Sequence, residues 1–346
     1  MGILSRDSDY FGLDIGEAAI RIVQLKRSGG RPSLVSYGDA PLSAGTSRSD
    51  SAADVERLGM SVAKLVKDLR LTTNNVVAGL PASKVFASII TTPKLTNAEL
   101  AKAIPLQADQ YIPMAVDQVK LDWTVLGPGA NANELEVLLV AAPNTITNKY
   151  LQVMETAGLQ VMALEINSTA LYRAVVPPTS PPVLVLDMGA VASDLAIIYQ
   201  NSPRLIRSIG VGGQTLVNAA SQALGLDEAQ AEQFVHKFGL TQTKLEGQVF
   251  KAIKPSLDML VEEVQKSIKF FAARYPTAKL EKLVLTGGTS ALLELPTFIA
   301  TAIGLPVEIG NAWINVSYPA GLQDKLITVS SHYGVASGLA QRSFVE

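Results

Sequence analysis

The feature that most constrains the fold of this sequence is a short phrase that occurs twice, half a chain length apart. Leu-Asp-Ile-Gly at Leu13–Gly16 and Leu-Asp-Met-Gly at Leu186–Gly189 each end an apolar run. In both places a second apolar run follows the glycine, at Ala19–Leu25 and at Leu195–Tyr199. The pattern predicts a strand, a tight turn and a returning strand in each half of the chain. We therefore expect a duplicated fold with two equivalent lobes.

Each predicted turn carries residue types that suit a phosphate site. A glycine lets the backbone approach a ligand closely, and the N–H groups of a turn can point at phosphate oxygens. Asp14 and Asp187 stand just before the turns, where a carboxylate can hold a metal ion or orient a water molecule. Two such hairpins facing each other would bind the phosphates of a nucleotide from both sides.

Composition excludes several classes of protein. Of the 346 residues, 48% are hydrophobic and 17% charged, which is enough for a sizeable core in two domains or one bilobal domain. No apolar run reaches the roughly 18 residues of a membrane span, and Met1–Tyr10 contains no apolar signal-peptide region. The net charge of −2 gives no general attraction to nucleic acid or anionic lipid. With no cysteine and two histidines, we expect a cytoplasmic protein without disulfides or thiolate chemistry.

Hydrophobic periodicity and the Pro-rich run 176–182 predict how the chain is divided. The predicted parts are a first lobe at 1–82, a small α+β insertion domain at 83–162, a connecting helix and linker of the first lobe at 163–182, a second lobe at 183–330, and a C-terminal helix at 331–346 that returns to the first lobe. In the insertion domain, Thr96 and Glu99 predict a capped helix start, and Pro105 is expected to interrupt this helix or delay its start. Gln160–Glu165 is expected to be the last strand of the insertion domain.

The two hairpins, the three-stranded meander expected in each half, and a late buried strand that opens on Gly287-Gly288 together resemble the actin, Hsp70 and sugar-kinase ATPase fold. This is an α/β, ribonuclease H-like fold with two lobes. The first hairpin is similar to the first phosphate loop of that fold, the second hairpin to its second phosphate loop, and the Gly287–Thr289 turn to its adenosine loop. The resemblance implies that ATP and Mg²⁺ bind between the lobes, with the upper part of the second lobe contacting the nucleotide.

Within that fold, residues 107–123, 184–190 and 262–271 are similar to the PilM family of type IV pilus assembly proteins, a relative of the cell-division protein FtsA. The similarity runs from about Phe11 to Arg342. It implies a cytoplasmic adaptor of the inner-membrane assembly platform that binds the cytoplasmic N-terminal peptide of the membrane protein PilN, and reaches the membrane only through partners. Tyr111, Ile112 and Pro113 are predicted to border the peptide groove. Residues 341–346 are too short for the membrane-binding helix that ends FtsA.

The resemblance also implies roles for single residues. Asp14 and Asp187 would hold Mg²⁺ directly or through water, and Asp187 is the one candidate for a catalytic role. Glu263 and Lys266, three positions apart on one helix face, would contact the ribose and adenine. The further residues predicted to line the nucleotide site are Gly16, Arg21, Gly189, Ala190, Gly212, Gly213, Gly287, Gly288 and Thr289.

Departures from the family pattern argue against rapid ATP hydrolysis. Glu17 stands where a small hydroxyl residue is common, and Ala192 replaces a threonine. No residue is identified as a base for the attacking water, which phosphoryl transfer to water requires, so at most a slow ATPase is expected. Two alternatives stay open: a filament-forming cytoskeletal or cell-division protein, and a kinase or ATPase of the same fold. Weak self-association and binding to other platform proteins also stay open.

Overall fold

The computed structural model of the protein describes residues 9–28, 30–129, 131 and 133–342. The predictions that concern residues 1–8 and 343–346, including the outer bounds of the first lobe and of the C-terminal segment, lie outside the described residues. None of the described helices is long and apolar enough to cross a membrane.

The first lobe starts with an antiparallel meander that contains the first copy of the repeated phrase. Its elements, in chain order, are β1 (Phe11–Ile15), β2 (Ala19–Ser28), β3 (Arg31–Pro41), α1 (Ala52–Asp68) and β4 (Asn75–Leu80). Strand β4 runs parallel to β1. All five residues of β1 are buried, since the strand lies in the middle of its sheet. The predicted hairpin, third strand, helix and following strand are confirmed.

A three-stranded antiparallel sheet with one covering helix forms the insertion domain. Its elements are β5 (Phe86–Pro93), α2 (Asn97–Gln107), β6 (Val119–Pro128) and β7 (Glu134–Pro143), with β7 in the centre of the sheet. The capping box of Thr96 and Glu99 is present as predicted. The expectation that Pro105 breaks or delays α2 is wrong, because the helix continues through it. The carbonyl of Ala101, which would accept the missing N–H, belongs to an exposed residue that water can reach.

The chain then returns to the first lobe with α3 (Asn144–Thr156) and β8 (Gln160–Ile166). The expectation that Gln160–Glu165 completes the insertion domain is wrong, because β8 pairs in parallel with β4. The first sheet therefore has the order β3-β2-β1-β4-β8, and α3 packs against α1. The bounds given above for the lobes and the insertion domain stay predictions. Helix α4 (Asn167–Val175) follows β8.

The second lobe repeats the plan of the first. Its elements are β9 (Val183–Met188), β10 (Ser193–Tyr199), β11 (Ser202–Ile209), α5 (Gly213–Leu224), α6 (Glu228–Phe238), α7 (Gln248–Arg274), β12 (Lys282–Thr286), α8 (Leu295–Ile303) and β13 (Val307–Ile309). The sheet order β11-β10-β9-β12-β13 is again a meander followed by two parallel strands. The predicted duplication is confirmed.

An apolar layer joins the two sheets. It contains α4 and the last helix, α10 (Gly334–Ala340), which follows α9 (Gln323–Val329). Val77 of the first sheet and Val185 of the second belong to the same buried cluster as Leu171 of α4 and Leu339 of α10. Helix α10 also packs against β1 and β2 of the first lobe.

Candidate nucleotide site

The two copies of the repeated phrase form equivalent turns. In the first, the N–H of Gly16 donates to the carbonyl of Ala19 at 3.0 Å, and in the second the N–H of Gly189 donates to the carbonyl of Ala192, also at 3.0 Å. In each hairpin the aspartate lies two residues before the glycine, on the strand that enters the turn. The duplication thus extends from the order of the strands to the hydrogen bonds of the turns.

Both turns present free backbone donors. Among the described residues, no hydrogen-bond acceptor is found for the N–H groups of Glu17 and Ala18 in the first turn or of Ala190 and Val191 in the second. These residues are partly or fully exposed. Backbone N–H groups need a partner, and successive amides in a turn can bind an anion.

Arg21 connects the charges of the two turns. Its Nη1 lies 3.7 Å from Oδ2 of Asp14, beside Gly16. Burial raises the pKa of Asp14 to about 6; Arg21 lowers it and the charge of Asp187 raises it further. Burial also raises the pKa of Asp187, against the effects of a 3.0 Å hydrogen bond from Thr286 and of Arg21. The charges of Asp14 and Arg21 in the first lobe and of Asp187 in the second are therefore close enough to act on one another.

A third carboxylate adds to the negative charge of this site. Asp194 lies opposite Asp187 in the register of β9 and β10. Burial raises its pKa to about 6, while a 2.6 Å hydrogen bond from Ser208 lowers the pKa and the charge of Asp187 raises it. Desolvated carboxylates of this kind are stabilised in their charged form by a divalent cation.

The chemistry of these donors fits Mg²⁺ held partly by water. No group of three or more His, Asp or Glu side chains in the described part of the chain is arranged as a metal site. Mg²⁺ commonly keeps several waters and takes one or two carboxylates together with phosphate oxygens. Asp14 and Asp187 would supply the carboxylates for such an ion, and the free turn amides would suit the phosphates.

The Gly287–Thr289 loop packs directly against the second turn. Gly287 has φ of +88°, and a Cβ at this position would lie 2.6 Å from Oδ1 of Asp187. The hydroxyl of Thr289 donates to the carbonyl of Gly189 at 3.1 Å. Only glycine permits this approach, so the sequence feature predicted to be an adenosine loop does border the acidic turn.

Gly212 and Gly213 hold the second turn from the other side. The N–H of Gly213 donates to the carbonyl of Gly189 at 3.0 Å, and the N–H of Gln214 donates to the carbonyl of Ala190 at 2.7 Å. A Cβ on Gly212 would lie 2.6 Å from the carbonyl carbon of Val191. The N–H of Gly213 is thus occupied by the turn that it positions, and the N–H of Gly212 donates to Thr215 Oγ1 at 3.3 Å. The role of both glycines toward a nucleotide stays a prediction.

A family model described as type IV pilus assembly protein PilM matches residues 12–344. The chain belongs to the PilM family. A solved PilM-PilN type IV pilus biogenesis complex contains a chain similar to it, with 26% identity, a TM-score of 0.85, and coverage of 98% of this chain and 99% of that one. The cell-division protein FtsA of Neisseria meningitidis serogroup B is 24% identical over 94% of this chain and 88% of its own length.

More distant structures share the fold alone. MreB5 of Spiroplasma citri bound to ADP is 12% identical, with a TM-score of 0.53 and coverage of 96% of this chain and 95% of that one. The predicted actin-like α/β fold with two lobes is confirmed.

In this PilM-family chain, Glu263 and Lys266, which are predicted to contact the ribose and adenine, contact each other and β11. Lys266 Nζ is 2.8 Å from Oε1 of Glu263, so the two side chains do meet on one face of α7. Glu263 is also 3.5 Å from Arg207 of β11. No contact found within the described residues joins either side chain to the glycine loops, and their role toward a nucleotide stays a prediction.

Two side chains near the turns were not recognised as site residues in the sequence. A Cβ on Gly288 would lie 3.8 Å from Nε2 of His332; burial lowers the pKa of this histidine, and so does nearby Arg21. Arg48 Nε lies 3.1 Å from Oε2 of Glu17. The Glu17 carboxylate, which departs from the family pattern, is therefore paired with Arg48. Neither contact has a local sequence signal, because each joins distant parts of the chain.

The predicted peptide-groove residues have unequal surroundings. Ile112 is 5% exposed and belongs to the core of the insertion domain with Leu100 and Ile104. Tyr111 is 37% exposed, and Pro113 is exposed. Tyr111 and Pro113 are therefore accessible to a partner, whereas Ile112 serves the packing of α2. Their role in partner binding stays a prediction.

Proposed function

We propose that this PilM-family protein is a cytoplasmic ATP-binding adaptor of the type IV pilus inner-membrane platform, and that it binds the N-terminal cytoplasmic peptide of PilN. Membership of a pilus assembly family supports the first part, and the similarity to a chain of the PilM-PilN complex supports the second. The observation that carries the nucleotide proposal is the shared site of the two acidic turns, with Arg21 acting on Asp14 and Asp187 together. PilN would hold the protein at the membrane.

Each part of the site has a task when Mg-ATP is bound. Mg²⁺ would neutralise phosphate charge, with Asp14 and Asp187 holding it directly or through water. Arg21 would keep positive charge beside the first turn, and Thr286 orients Asp187 by hydrogen bonding. The amides available to the phosphate oxygens are those of Glu17, Ala18, Ala190 and Val191.

Binding, more than turnover, is the proposed use of the nucleotide. Fast hydrolysis needs a positioned base or water-orienting residue in addition to charge neutralisation, and we assign none. We therefore propose slow hydrolysis at most. A nucleotide that prefers one angle between the lobes would shift the population of conformers and so change the shape of the peptide groove.

Peptide titration tests the adaptor proposal. A synthetic PilN N-terminal peptide is titrated calorimetrically into the full chain, with and without Mg-ATP, and a scrambled peptide of the same composition is the control. We expect the PilN peptide to bind saturably and the scrambled peptide not to bind. If the two peptides give the same heats under both conditions, the adaptor proposal fails.

A further inference from the structure

The insertion domain is attached to both lobes by different kinds of contact. The chain packs with the first lobe where it enters and leaves this domain, since Val85, just before β5, and Ala142 of β7 belong to the buried core of that lobe. On its other side it meets β11 and α7 of the second lobe. Here the contact is centred on a buried carboxylate, Glu136 of β7, which is 3% exposed.

Three second-lobe side chains surround this carboxylate. Arg204 Nη1 donates to Oε2 of Glu136 at 2.5 Å, and Arg274 Nη2 donates to Oε1 at 2.8 Å. The hydroxyl of Tyr275 lies 2.7 Å from both oxygens. We call Glu136, Arg204, Arg274 and Tyr275 the Glu136 cluster. Burial acts to raise the pKa of Glu136, but the hydrogen bonds and cations outweigh it and hold this pKa below its ordinary value.

The cluster is also tied to its surroundings on each side. Arg204 donates to the carbonyl of Leu126 in the insertion domain and to that of Tyr199 in the second lobe. Arg274 donates to Thr91 Oγ1, the residue opposite Glu136 in the register of β5 and β7. Within the described residues, the ion pairs of Glu136 are the only ones that join the insertion domain to the second lobe.

The interface beside the cluster is not filled. A cavity of about 390 Å³ lies between β5, β11 and α7, with Ile89 and Leu138 on one wall and Arg207, Lys266 and Phe270 on the other. Apolar packing is interrupted at this cavity, and the polar cluster lies beside it, where β11 also approaches β5. The lobes are also joined by the apolar layer of α4 and α10, and Ile206 of β11 borders both this layer and the cavity.

We infer that the Glu136 cluster is a latch between the lobes. The insertion domain moves with the first lobe because the two share a core, and the cluster fastens it to the second lobe. Rotation of the lobes about the α4–α10 layer therefore has to break the cluster or be prevented by it. Interfaces of this kind have discrete closed and open arrangements, and a buried carboxylate that loses its cations is costly to leave unpaired.

Spin-label distances test the latch directly. The chain contains no cysteine, so Lys64→Cys on α1 and Lys251→Cys on α7 introduce two labels at exposed positions, one in each lobe. Pulsed electron–electron double resonance then reports the distance between the lobes. Glu136→Gln in this background keeps the side-chain shape but removes the charge. The control is Glu308→Gln, which removes the exposed Lys282–Glu308 pair on strands of the second sheet.

The background protein and Glu308→Gln should give a single distance population. Glu136→Gln should add a second, longer population, because the lobes can separate. Arg274→Gln removes one partner of Glu136 and should also add a longer distance population. The Arg274 side chain is 33% exposed, so this variant replaces Glu136→Gln in the experiment if Glu136→Gln does not fold. An unchanged distribution in either folded variant would overturn the latch. The measurement uses no nucleotide or peptide, so its outcome is independent of the proposed function.

Discussion

Asp14 occupies a position that is unfavourable for a charge in the absence of a ligand. It is 6% exposed, and the charge of its cation partner Arg21 also acts on Asp187. The pKa of about 6 reflects this incomplete compensation. A divalent cation would compensate the charge of Asp14, so this residue, which destabilises the free protein, would stabilise the cation-bound protein. Stability given up at a site of this kind is typical of binding and catalytic centres.

The raised pKa of Asp14 predicts a pH-dependent stability difference. Because the folded-state pKa lies above the unfolded value of 3.8, the contribution of this group is favourable below pH 4 and is lost as pH rises through about 6. Asp14→Asn, which cannot ionise, should therefore be more stable than the wild type at pH 8, by up to about 3 kcal/mol. The two proteins should converge at pH 4. Urea unfolding in the presence of a chelator measures this, and equal stabilities at pH 8 would contradict it.

Gly287 combines a left-handed backbone with a close approach to Asp187. Gly287→Ala should lower the free energy of unfolding by about 1–3 kcal/mol from backbone strain, with a further loss from the displaced turn. Gly225 is the matched control, since it also has positive φ but has open space around it. Gly225→Ala should cost about 1 kcal/mol. Denaturant titration compares the two, and equal losses would show that the contact with the second turn contributes nothing.

At the scale of elements, the closeness of α10 to its neighbours depends on small residues. A Cβ on Gly338 would overlap the carbonyl oxygen of Ala170 in α4, and a Cβ on Gly12 would overlap that of Ala336 in α10. The seven residues of α10 are all buried. Close packing of this helix is what joins the two sheets, so any added volume separates them.

Gly338→Ala should destabilise the protein by about 3 kcal/mol, because the backbone of α4 cannot move aside as a flexible side chain would. Gly321→Ala, at a position with open space, should change the stability by less than about 0.5 kcal/mol. Thermal unfolding followed by circular dichroism is the measurement. A Gly338→Ala protein as stable as the control would mean that α10 and α4 are not packed as described.

Local patterns made most elements predictable from the sequence. The strands of both meanders have apolar runs that end at turns, and Thr96 with Glu99 marks the start of α2. The assignment of β8 failed because its residues are equally suited to either sheet, and only the long-range pairing with β4 decides between them. Similarly, Arg48 and His332 reach the turns from distant segments, and no spacing in the sequence connects them to Glu17 or Gly288.

At the scale of the whole molecule, three attachments define how the lobes relate. The apolar layer of α4 and α10 joins the sheets, the Glu136 cluster fastens the insertion domain to the second lobe, and the acidic turns meet at Arg21. The first two are complete in the protein alone. The third brings the carboxylates of Asp14 and Asp187 close together, and a bound cation would compensate their repulsion when a nucleotide binds.

The most direct test of this account is calorimetric titration of Mg-ATP into the wild type, Asp187→Asn and Asp122→Asn. Asp122 is an exposed residue of the insertion domain, so its variant is a control for the same chemical change away from the site. The account predicts saturable binding to the wild type and to Asp122→Asn, and affinity lower by about tenfold or more, or 1.4 kcal/mol, in Asp187→Asn. No binding to the wild type, or equal affinity in all three proteins, would contradict the claim that the paired acidic turns bind a nucleotide.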